Sequence, residues 1–473
     1  MIPVSLSWVA QQVQGQLIGM QGADMIIQGV STDTRTITDD SLFIALFGPN
    51  FDGHQFIQQA VQSGAVAAII SEPLQSVKGA SDLPCILVED TKLALGLLAA
   101  AVKTLIAPKT VAITGSSGKT TVKEMVAAIL SRRGKVLATQ GNFNNDIGVP
   151  LTLLRLEQEH EFAVIELGAN HLGEIAYTTD LVKPDVATVV NAAAAHLEGF
   201  GSLLGVARAK SEIFKGLADH GLAVLNRDSQ FFAFWQGKLG LNKMQSFSVD
   251  GDSDFYAQNV TLGPDGCAQF TLCTPDGQIG VLLSLPGLHN VSNALVAAAL
   301  AIGVGASLHN IKDGLQLMPH VSGRLDVKQL TDQVKILDDT YNANVASVNV
   351  AIDLLASFAG RKVLVLGDMA ELGEKARYYH EKVGEYALQH GINELYSLGV
   401  LSQSASEVFK DHGKHFSKVQ TLVSYLNEQL GGEQRNISIL VKGSRSARME
   451  RVVHALEVSP VGKLERLRES LAC

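Results

Sequence analysis

Short apolar runs rich in valine, isoleucine and alanine recur along the chain and alternate with segments of helical period. Residues 110–114, 162–166 and 186–190 are such runs, residues 223–226 form a fourth, and residues 119–133 have the spacing of a helix that ends at Gly134. Strands alternating with helices are typical of a mostly parallel sheet covered on both faces. The middle of the chain is therefore predicted to form such a sheet.

Two other patterns flank this region. Residues 255–285 place two Pro-Asp-Gly turns, at 264–266 and 275–277, between β-like runs, which predicts an antiparallel edge. After residue 319 the alternation of strands and helices starts again, so we expect a second doubly wound unit from about residue 322. Its predicted strands are 334–337, 362–366 and 437–441, and its predicted helices are 345–358 and 379–390.

The first 84 residues have shorter elements. A strand is predicted at 65–70, a helix at 56–63 and a turn-rich loop at 48–54, and residues 72–84 have the composition of a linker. The predicted fold class is α/β with three domains. These are a small N-terminal α/β domain (1–84), a central domain with a mostly parallel sheet (85–321) and a C-terminal Rossmann-like doubly wound domain (322–473).

Composition narrows the class of protein. The chain has 473 residues, of which 46% are hydrophobic and 18% charged, so general disorder is excluded. A net charge of -9 argues against a broad nucleic-acid or anionic-membrane surface. Four cysteines without a Cys-x-x-Cys pair argue against a disulfide scaffold or a zinc cluster. Because no basic residue precedes Arg35 and no apolar run reaches about 20 residues, we expect a cytoplasmic protein without membrane insertion.

The strongest chemical signal is the sequence TGSSGKTT at residues 114–121, between a predicted strand and a predicted helix. Its glycines allow the tight turn of a phosphate-binding loop, Lys119 can reach the β- and γ-phosphates, and the Thr120 hydroxyl can ligate Mg²⁺. The motif is a shortened Walker A, because Ile113 stands where the full pattern has glycine. An ordinary glycine-rich turn is the alternative. The candidate nucleotide-binding residues of this loop are Gly115, Ser116, Ser117, Gly118, Lys119, Thr120 and Thr121.

Three more polar residues are candidates for chemistry near this loop. Glu166 ends one predicted strand and His196 follows the next, and ligands bind at the carboxyl ends of parallel strands. Both could hold Mg²⁺, although a capping acid and a buried, hydrogen-bonded histidine are the alternatives. Lys210 lies on a predicted helix, where a solvated face is the ordinary interpretation.

The chain resembles the Mur ligases, the ATP-dependent amide-forming enzymes of peptidoglycan synthesis. In the one-letter code, the segments that carry the resemblance are TGSSGKT (114–120), QGNFNNDIGVP (140–150), ELGANHLGEI (166–175), AHLEGFG (195–201), AKSEIF (209–214), LHNVSN (288–293), SGR (322–324), DDTYNAN (338–344), GDMAELG (367–373) and KGSR (442–445). One departure is Val345, which replaces the proline of the common Asn-Ala-Asn-Pro pattern.

The resemblance implies a reaction and its cofactors. It implies that ATP phosphorylates a peptide carboxylate and that the acyl phosphate then reacts with an amine, giving ADP and phosphate. The ELGANH and GDMAELG segments point to the branch that joins UDP-N-acetylmuramoyl-tripeptide to D-alanyl-D-alanine. It also implies two Mg²⁺ ions, one held by Thr120 and Glu166 and a second by His196 and a carbamylated Lys210. The implied catalytic residues are Lys119, Lys210, His196 and Arg324.

The resemblance assigns further binding residues. Asn290 and Asn293 would meet the adenine side, and the alternative is an asparagine that caps a helix. Arg324 and Asp339 would contact the γ-phosphate and the ribose, and the alternative is an ordinary ion pair. Closure of the third domain would bring Arg324 to the phosphate. Tyr341, Asn342 and Asn344 would line the dipeptide side.

The N-terminal domain would bind the UDP end of the substrate, and the alternative for its residues is a hairpin loop with a capping aspartate. Residues after the central helix would meet substrate or phosphate, and the alternative for them is that they cap a loop. The predicted substrate-binding residues are Ser31, Thr32, Asp33, Arg35, Gly48, Phe51, Asp52, Gly53, His54, Asn144 and Asn145.

Two rival functions remain at this point. One is a related ligase of the Mur or folylpolyglutamate type with another acceptor, and the other is a non-catalytic ATP switch built on the same loop. We expect a monomer without a nucleic-acid partner.

Overall fold

Three main β-sheets organise the computed structural model of the chain. The structure describes residues 1–18, 24–48, 51–73, 83–193, 197–249, 251–318, 323–430 and 435–459. Each sheet is largely parallel and packs against helices, so the predicted α/β class is confirmed.

The first sheet has five strands, and its outer strand Gln16–Ile18 runs antiparallel to its neighbour. Two small antiparallel pairs lie beside it. In spatial order the strands are Gln16–Ile18, Cys85–Leu87, Ala65–Ile70, Ser41–Ile44 and Gly29–Ser31. The small pairs are Val4–Ser5 with Ile26–Ile27 and Phe47–Gly48 with Phe51–Asp52. The helices are Leu6–Gln12 and Ile57–Gln62, with 3-10 turns at Thr34–Thr36 and Gly53–Phe56.

The central sheet has nine strands, of which the first seven are parallel, and each of the last two runs antiparallel to the strand before it, as the two Pro-Asp-Gly turns predicted. In spatial order the strands are Lys135–Ala138, His160–Glu166, Lys109–Thr114, Val186–Val189, Leu222–Asn226, Lys243–Ser248, Phe255–Leu262, Cys267–Thr274 and Gly277–Pro286. The helices are Thr91–Ile106, Lys119–Leu130, Gly148–Leu153, Glu174–Val182, Leu197–Phe200, Leu203–Ser211, Phe232–Gln236, His289–Gly303 and Leu308–Gln316, with a 3-10 helix at Glu212–Gly216.

The third sheet has six strands, and only its outer strand Asp326–Gln329 is antiparallel to its neighbour. In spatial order the strands are Asp326–Gln329, Val334–Asp339, Ile437–Lys442, Arg361–Gly367, Glu394–Leu398 and Gly413–Phe416. The helices are Val345–Ser357, Ala376–Gln389, Gln403–Glu407, Val419–Leu430 and Glu450–Glu457, with 3-10 turns at Gly373–Lys375, Lys410–His412 and Arg445–Ala447.

The first and central sheets share one hydrophobic core. The helix Thr91–Ile106 buries Leu95, Leu98 and Val102 in a cluster that contains residues of both sheets, such as Ile44 and Ile165. The strand Cys85–Leu87 belongs to the first sheet, so that sheet extends past residue 84, where the sequence placed the domain boundary. Part of the predicted linker, residues 74–82, lies outside the described residues.

The sequence predicted no segment that inserts into a membrane, which can be compared with the length and hydropathy of the helices. None of the helices in the described ranges combines the length and the apolar character that crossing a bilayer requires.

Candidate active site

The predicted phosphate-binding loop connects the buried strand Lys109–Thr114 to the helix Lys119–Leu130. Gly118 adopts φ +77°, which glycine accepts without steric cost, and no side chain caps the helix. The backbone N–H groups of Lys119, Thr120 and Thr121 have no hydrogen-bond partner among the described residues. Uncapped N–H groups at a helix N-terminus form a site for an anion such as phosphate.

Glu166 lies at the end of the neighbouring strand with both carboxylate oxygens held. Thr120 donates its hydroxyl to Oε2 at 2.8 Å, and Asn144 donates its amide to Oε1 at 2.8 Å. The Glu166 backbone N–H donates to the Thr139 hydroxyl at 3.0 Å. Glu166 is 2% exposed, and the described hydrogen bonds to its carboxylate come only from neutral donors, so the carboxylate suits a cation such as Mg²⁺.

Two lysine side chains lie near this carboxylate. Lys119 donates to the Gly115 carbonyl oxygen at 2.8 Å. Burial lowers its pKa, and the negative charge of Glu166 opposes that shift. Lys210, on the helix Leu203–Ser211, is 2% exposed, and no described residue hydrogen-bonds to its ammonium. Burial, reinforced by the charge of Lys119, holds the pKa of Lys210 well below its ordinary value. His196 lies outside the described residues.

The third domain reaches the same loop through Arg324 and Asn344. Arg324 donates Nη2 to the Thr120 hydroxyl at 2.9 Å, and its guanidinium carbon lies 4.2 Å from the centre of the Tyr341 ring. The buried Nε of Arg324 has no hydrogen-bond partner among the described residues. Asn344 donates to the Ser116 carbonyl at 3.4 Å. Arg324 and Asn344 therefore connect the third domain to the P-loop, and the closure onto a phosphate stays a prediction.

Ser116 and Ser117 are directed away from the open end of the loop. Asn191 accepts both of their backbone N–H groups, at 3.1 and 2.9 Å. The Ser116 hydroxyl bonds to the backbone of Ala193. Asn191 is not among the site residues predicted from the sequence. Its position at the carboxyl end of the strand beside the P-loop was the available signal.

The predicted adenine-side residues are buried and bonded to one another. Asn290 donates to the Pro286 carbonyl at 2.8 Å, and Asn293 donates to the Asn290 side-chain oxygen at 2.9 Å. A Cβ atom built on Gly118 would lie 2.9 Å from the Asn293 oxygen, so this pair packs against the P-loop. Asp339 forms an ion pair with Lys442, which also donates to the Asn342 carbonyl at 2.9 Å.

The N-terminal candidates form two local networks. The Arg35 guanidinium binds the Asp33 carboxylate, lowering the Asp33 pKa to about 2, and the Ser31 hydroxyl donates to the Asp33 carbonyl at 2.8 Å. His54 is 4% exposed, and its Nδ1 donates to Asp52 at 2.7 Å because Nε2 accepts a backbone N–H.

Several other candidates have local contacts only. Thr32 is half-buried, Gly48 and Phe51 pair across a two-stranded ribbon, and the Gly53 N–H donates to the Leu46 carbonyl. Asn145 accepts the Gly148 N–H at 2.8 Å, so it caps a helix. No described hydrogen bond joins these residues to the P-loop, and their substrate roles stay predictions.

Three segments of the chain match profiles of one family. Residues 26–103 match the Mur ligase family catalytic domain, residues 113–301 the Mur ligase middle domain, and residues 323–445 the Mur ligase glutamate ligase domain.

Relatives and solved structures agree with these matches. The UDP-N-acetylmuramoyl-tripeptide–D-alanyl-D-alanine ligase of Escherichia coli (strain K12) is 51% identical over 97% of this chain and 99% of its own. A crystal structure of MurF from Acinetobacter baumannii superposes with a TM-score of 0.91 at 37% identity, covering 97% of this chain and 99% of that one.

A second MurF structure has a bound nucleotide. MurF from Thermotoga maritima in complex with ADP superposes with a TM-score of 0.80 at 28% identity over 91% of this chain and 97% of that one. The resemblance inferred from the sequence is confirmed: the chain belongs to the Mur ligase family.

Proposed function

We propose that this protein is an ATP-dependent carbon–nitrogen ligase that joins D-alanyl-D-alanine to UDP-N-acetylmuramoyl-tripeptide in peptidoglycan precursor synthesis. The observation that carries the proposal is the 51% identity, over nearly the full length of both chains, with the UDP-N-acetylmuramoyl-tripeptide–D-alanyl-D-alanine ligase of Escherichia coli. The uncapped N-terminus of the P-loop helix lies beside Glu166, and Arg324 bonds to Thr120 in its first turn. Both features support ATP as the co-substrate.

The reaction requires two anions to approach each other. The substrate carboxylate must attack the γ-phosphate, forming an acyl phosphate and ADP, and the dipeptide amine then displaces phosphate to form the amide. Two like charges at about 4 Å repel by about 4 kcal/mol at an effective dielectric near 20. The cationic side chains Lys119 and Arg324, which reach this place from two domains, would reduce that repulsion.

Glu166 and the Thr120 hydroxyl suit an Mg²⁺ ion, because the carboxylate is buried and contacts only neutral donors among the described residues. Bound Mg²⁺ would add positive charge between the phosphates and the substrate carboxylate. A second ion would be held by His196 and by Lys210 as a carbamate. The buried Lys210 amine, with its lowered pKa, supports this assignment, because a neutral amine can attack CO₂, lose a proton and become an anion.

The remaining roles follow the family pattern. The networks around Asp33 and His54 would bind the UDP end, with Asn144 and Asn145 nearer the reacting carboxylate. Asn290, Asn293 and Asp339 would hold the adenosine. Tyr341, Asn342 and Asn344 would line the dipeptide side. We place the protein in the cytoplasm, because its nucleotide substrates are found there. We also propose that it acts as a monomer.

ADP release against a panel of UDP-muramoyl peptides and amines tests the function. We expect release only when UDP-N-acetylmuramoyl-tripeptide and D-alanyl-D-alanine are both present. Release with a glutamyl acceptor would favour a folylpolyglutamate-type ligase. Release that ignores both substrates would favour an ATP switch, and either result would overturn the proposal.

A further inference from the structure

Asn191, which follows the buried strand Val186–Val189, directs its entire side-chain amide at the P-loop. Its Oδ1 accepts the backbone N–H groups of Ser116 and Ser117. Its Nδ2 lies 3.1 Å from both the carbonyl oxygen and the hydroxyl oxygen of Ser117. An asparagine amide has two acceptor sites and two donors, so this side chain is fully used on two neighbouring residues.

Backbone contacts join the same two loops. The Ser116 N–H also lies 3.1 Å from the Asn191 carbonyl oxygen, and the Ser116 hydroxyl bonds to both the N–H and the carbonyl of Ala193. A Cβ atom on Gly115 would lie 3.1 Å from the Val190 Cβ, so only glycine permits this approach without a shift. Residues 115–117 are therefore anchored along residues 190–193.

This anchoring divides the P-loop into two halves. The N–H groups of Ser116 and Ser117 are already bonded, whereas those of Lys119, Thr120 and Thr121 have no described partner. Within the described part of the chain, the N–H groups of the second half are therefore the ones that the helix N-terminus can present to a phosphate. A loop whose shape is fixed before binding loses less conformational freedom when the ligand arrives.

We propose that Asn191 is a positioning residue for the nucleotide: it holds the first half of the P-loop so that the free N–H groups of the second half converge on the phosphates. This inference rests on the proposed function only in taking a nucleotide to be the ligand of the loop. It makes no assumption about the amine acceptor.

Calorimetric titration of Mg-ADP into Asn191→Ala tests the proposal. We expect binding about tenfold weaker than in the wild type, a loss of about 1.4 kcal/mol. The matched control is Asn226→Ala. Asn226 is also half-buried at the end of the next strand, but its amide donates to the Val190 carbonyl, and no described hydrogen bond joins its side chain to residues 115–121. We expect the control to bind Mg-ADP within about twofold of the wild type.

Asn191→Asp serves as a second variant of nearly unchanged shape. It keeps the acceptor oxygen, but it places an oxygen where Nδ2 donates to Ser117 and adds a negative charge near the phosphates. We expect Asn191→Asp to bind Mg-ADP more weakly than Asn191→Ala.

Steady-state kinetics separate positioning from a merely structural role. In Asn191→Ala we expect KM for ATP to rise about tenfold while kcat and KM for the UDP-linked substrate stay within about twofold. Equal losses in all three parameters would indicate general damage and overturn the proposal. So would Mg-ADP binding to either variant that is as tight as, or tighter than, in the wild type. If ADP release proves independent of the UDP-linked substrate, the proposed function fails, and the titration still decides the role of Asn191.

Discussion

The two lysines nearest Glu166 differ in what their ammonium groups contact. Lys119 donates to the Gly115 carbonyl, and the charge of Glu166 favours its protonated form. Lys210 is fully enclosed without a described hydrogen-bond partner, and the cation Lys119 disfavours its protonated form. Burial lowers the pKa of both amines and Glu166 opposes both shifts, but only the Lys210 pKa is held well below its ordinary value, so Lys210 is the better suited of the two to react as a neutral amine.

Replacing Lys210 by alanine is expected to lower kcat about 10²-fold or more, because the anion that the carbamate would supply is lost. Added formate or acetate is expected to restore part of the activity by placing a carboxylate in the cavity. The measurement is ADP release with and without the added acid. Lys215→Ala, at an exposed lysine in the following turn, is the control and should be unaffected. Full activity of Lys210→Ala without added acid would contradict the role.

The protonation of His289 should make stability depend on pH. Burial lowers the His289 pKa to about 4 from an ordinary 6.5; Asp339 opposes and Lys442 reinforces this shift. Between these two values the unfolded chain binds more protons than the folded one, so stability falls as the pH drops from about 6.5 to about 4.

The expected loss over that range is about 3 kcal/mol, at about 1.4 kcal/mol per pKa unit. Urea unfolding at pH 7 and pH 4.5 is the measurement. Between these two pH values, the free energy of unfolding of His289→Gln should fall by correspondingly less than that of the wild type. His309→Gln, at an exposed surface histidine, should match the wild type. Equal pH dependence in all three proteins would refute the assignment.

At the scale of elements, the helix Val345–Ser357 shows what the departure from the family pattern changes. Asn344 caps this helix in a reciprocal capping box with Ser347, and it also contacts the P-loop. Val345 is the first helical residue, and its N–H has no described partner. Proline at that position would remove no hydrogen bond, so the only effect of the valine is a less restricted backbone at residue 345.

Val345→Pro is accordingly expected to stabilise the third domain by about 0.5 kcal/mol, since it restricts the unfolded chain. The extended backbone of Asn344, at φ -136° and ψ 167°, is compatible with a following proline. Urea unfolding checks the value. Val348→Pro is the matched control, because the Val348 N–H donates to Asn344 at 2.9 Å, and we expect it to destabilise by about 3 kcal/mol. Destabilisation by Val345→Pro would contradict the argument.

The elements differ in how well the sequence predicts them. The P-loop strand and helix and the strand ending at Glu166 follow from long apolar runs and glycine punctuation, and the contact of Thr120 with Glu166 follows from adjacent strand ends. The N-terminal strands are harder to predict, because several have only two or three residues and the inner strand Cys85–Leu87 comes from beyond the predicted boundary. Pairs such as Asp339 with Lys442 depend on the register of two parallel strands, which no local pattern encodes.

At the scale of the whole molecule, Arg324 joins the third domain to the P-loop. Its guanidinium contacts the Thr120 hydroxyl and stacks on Tyr341, 4.2 Å from the ring centre. The contact places the Arg324 guanidinium beside the Thr120 hydroxyl of the P-loop. The position of the third domain is therefore coupled to the P-loop.

Removing this side chain should loosen the closed arrangement. In Arg324→Ala we expect kcat to fall about 10²- to 10³-fold. We also expect small-angle scattering to show a larger radius of gyration than the wild type when an ATP analogue and the UDP-linked substrate are present. Arg377→Ala, at an exposed arginine of the same domain, is the control. Unchanged dimensions in Arg324→Ala would argue against the coupling.

The core shared by the first two sheets sets where the protein can be cut and recombined. A chimera that exchanges only residues 1–84 would divide the first sheet and leave the helix Thr91–Ile106 facing foreign side chains. A junction after that helix, where Ala107 adopts a left-handed conformation before Pro108, keeps the first sheet and the helix from one parent, whereas the helix still packs on Leu153 and Leu181 of the other. Donor segments joined there should yield soluble hybrids only where the central-domain side chains that face the helix match those of the donor, so a transplanted block of about 107 residues needs that matched surface as well.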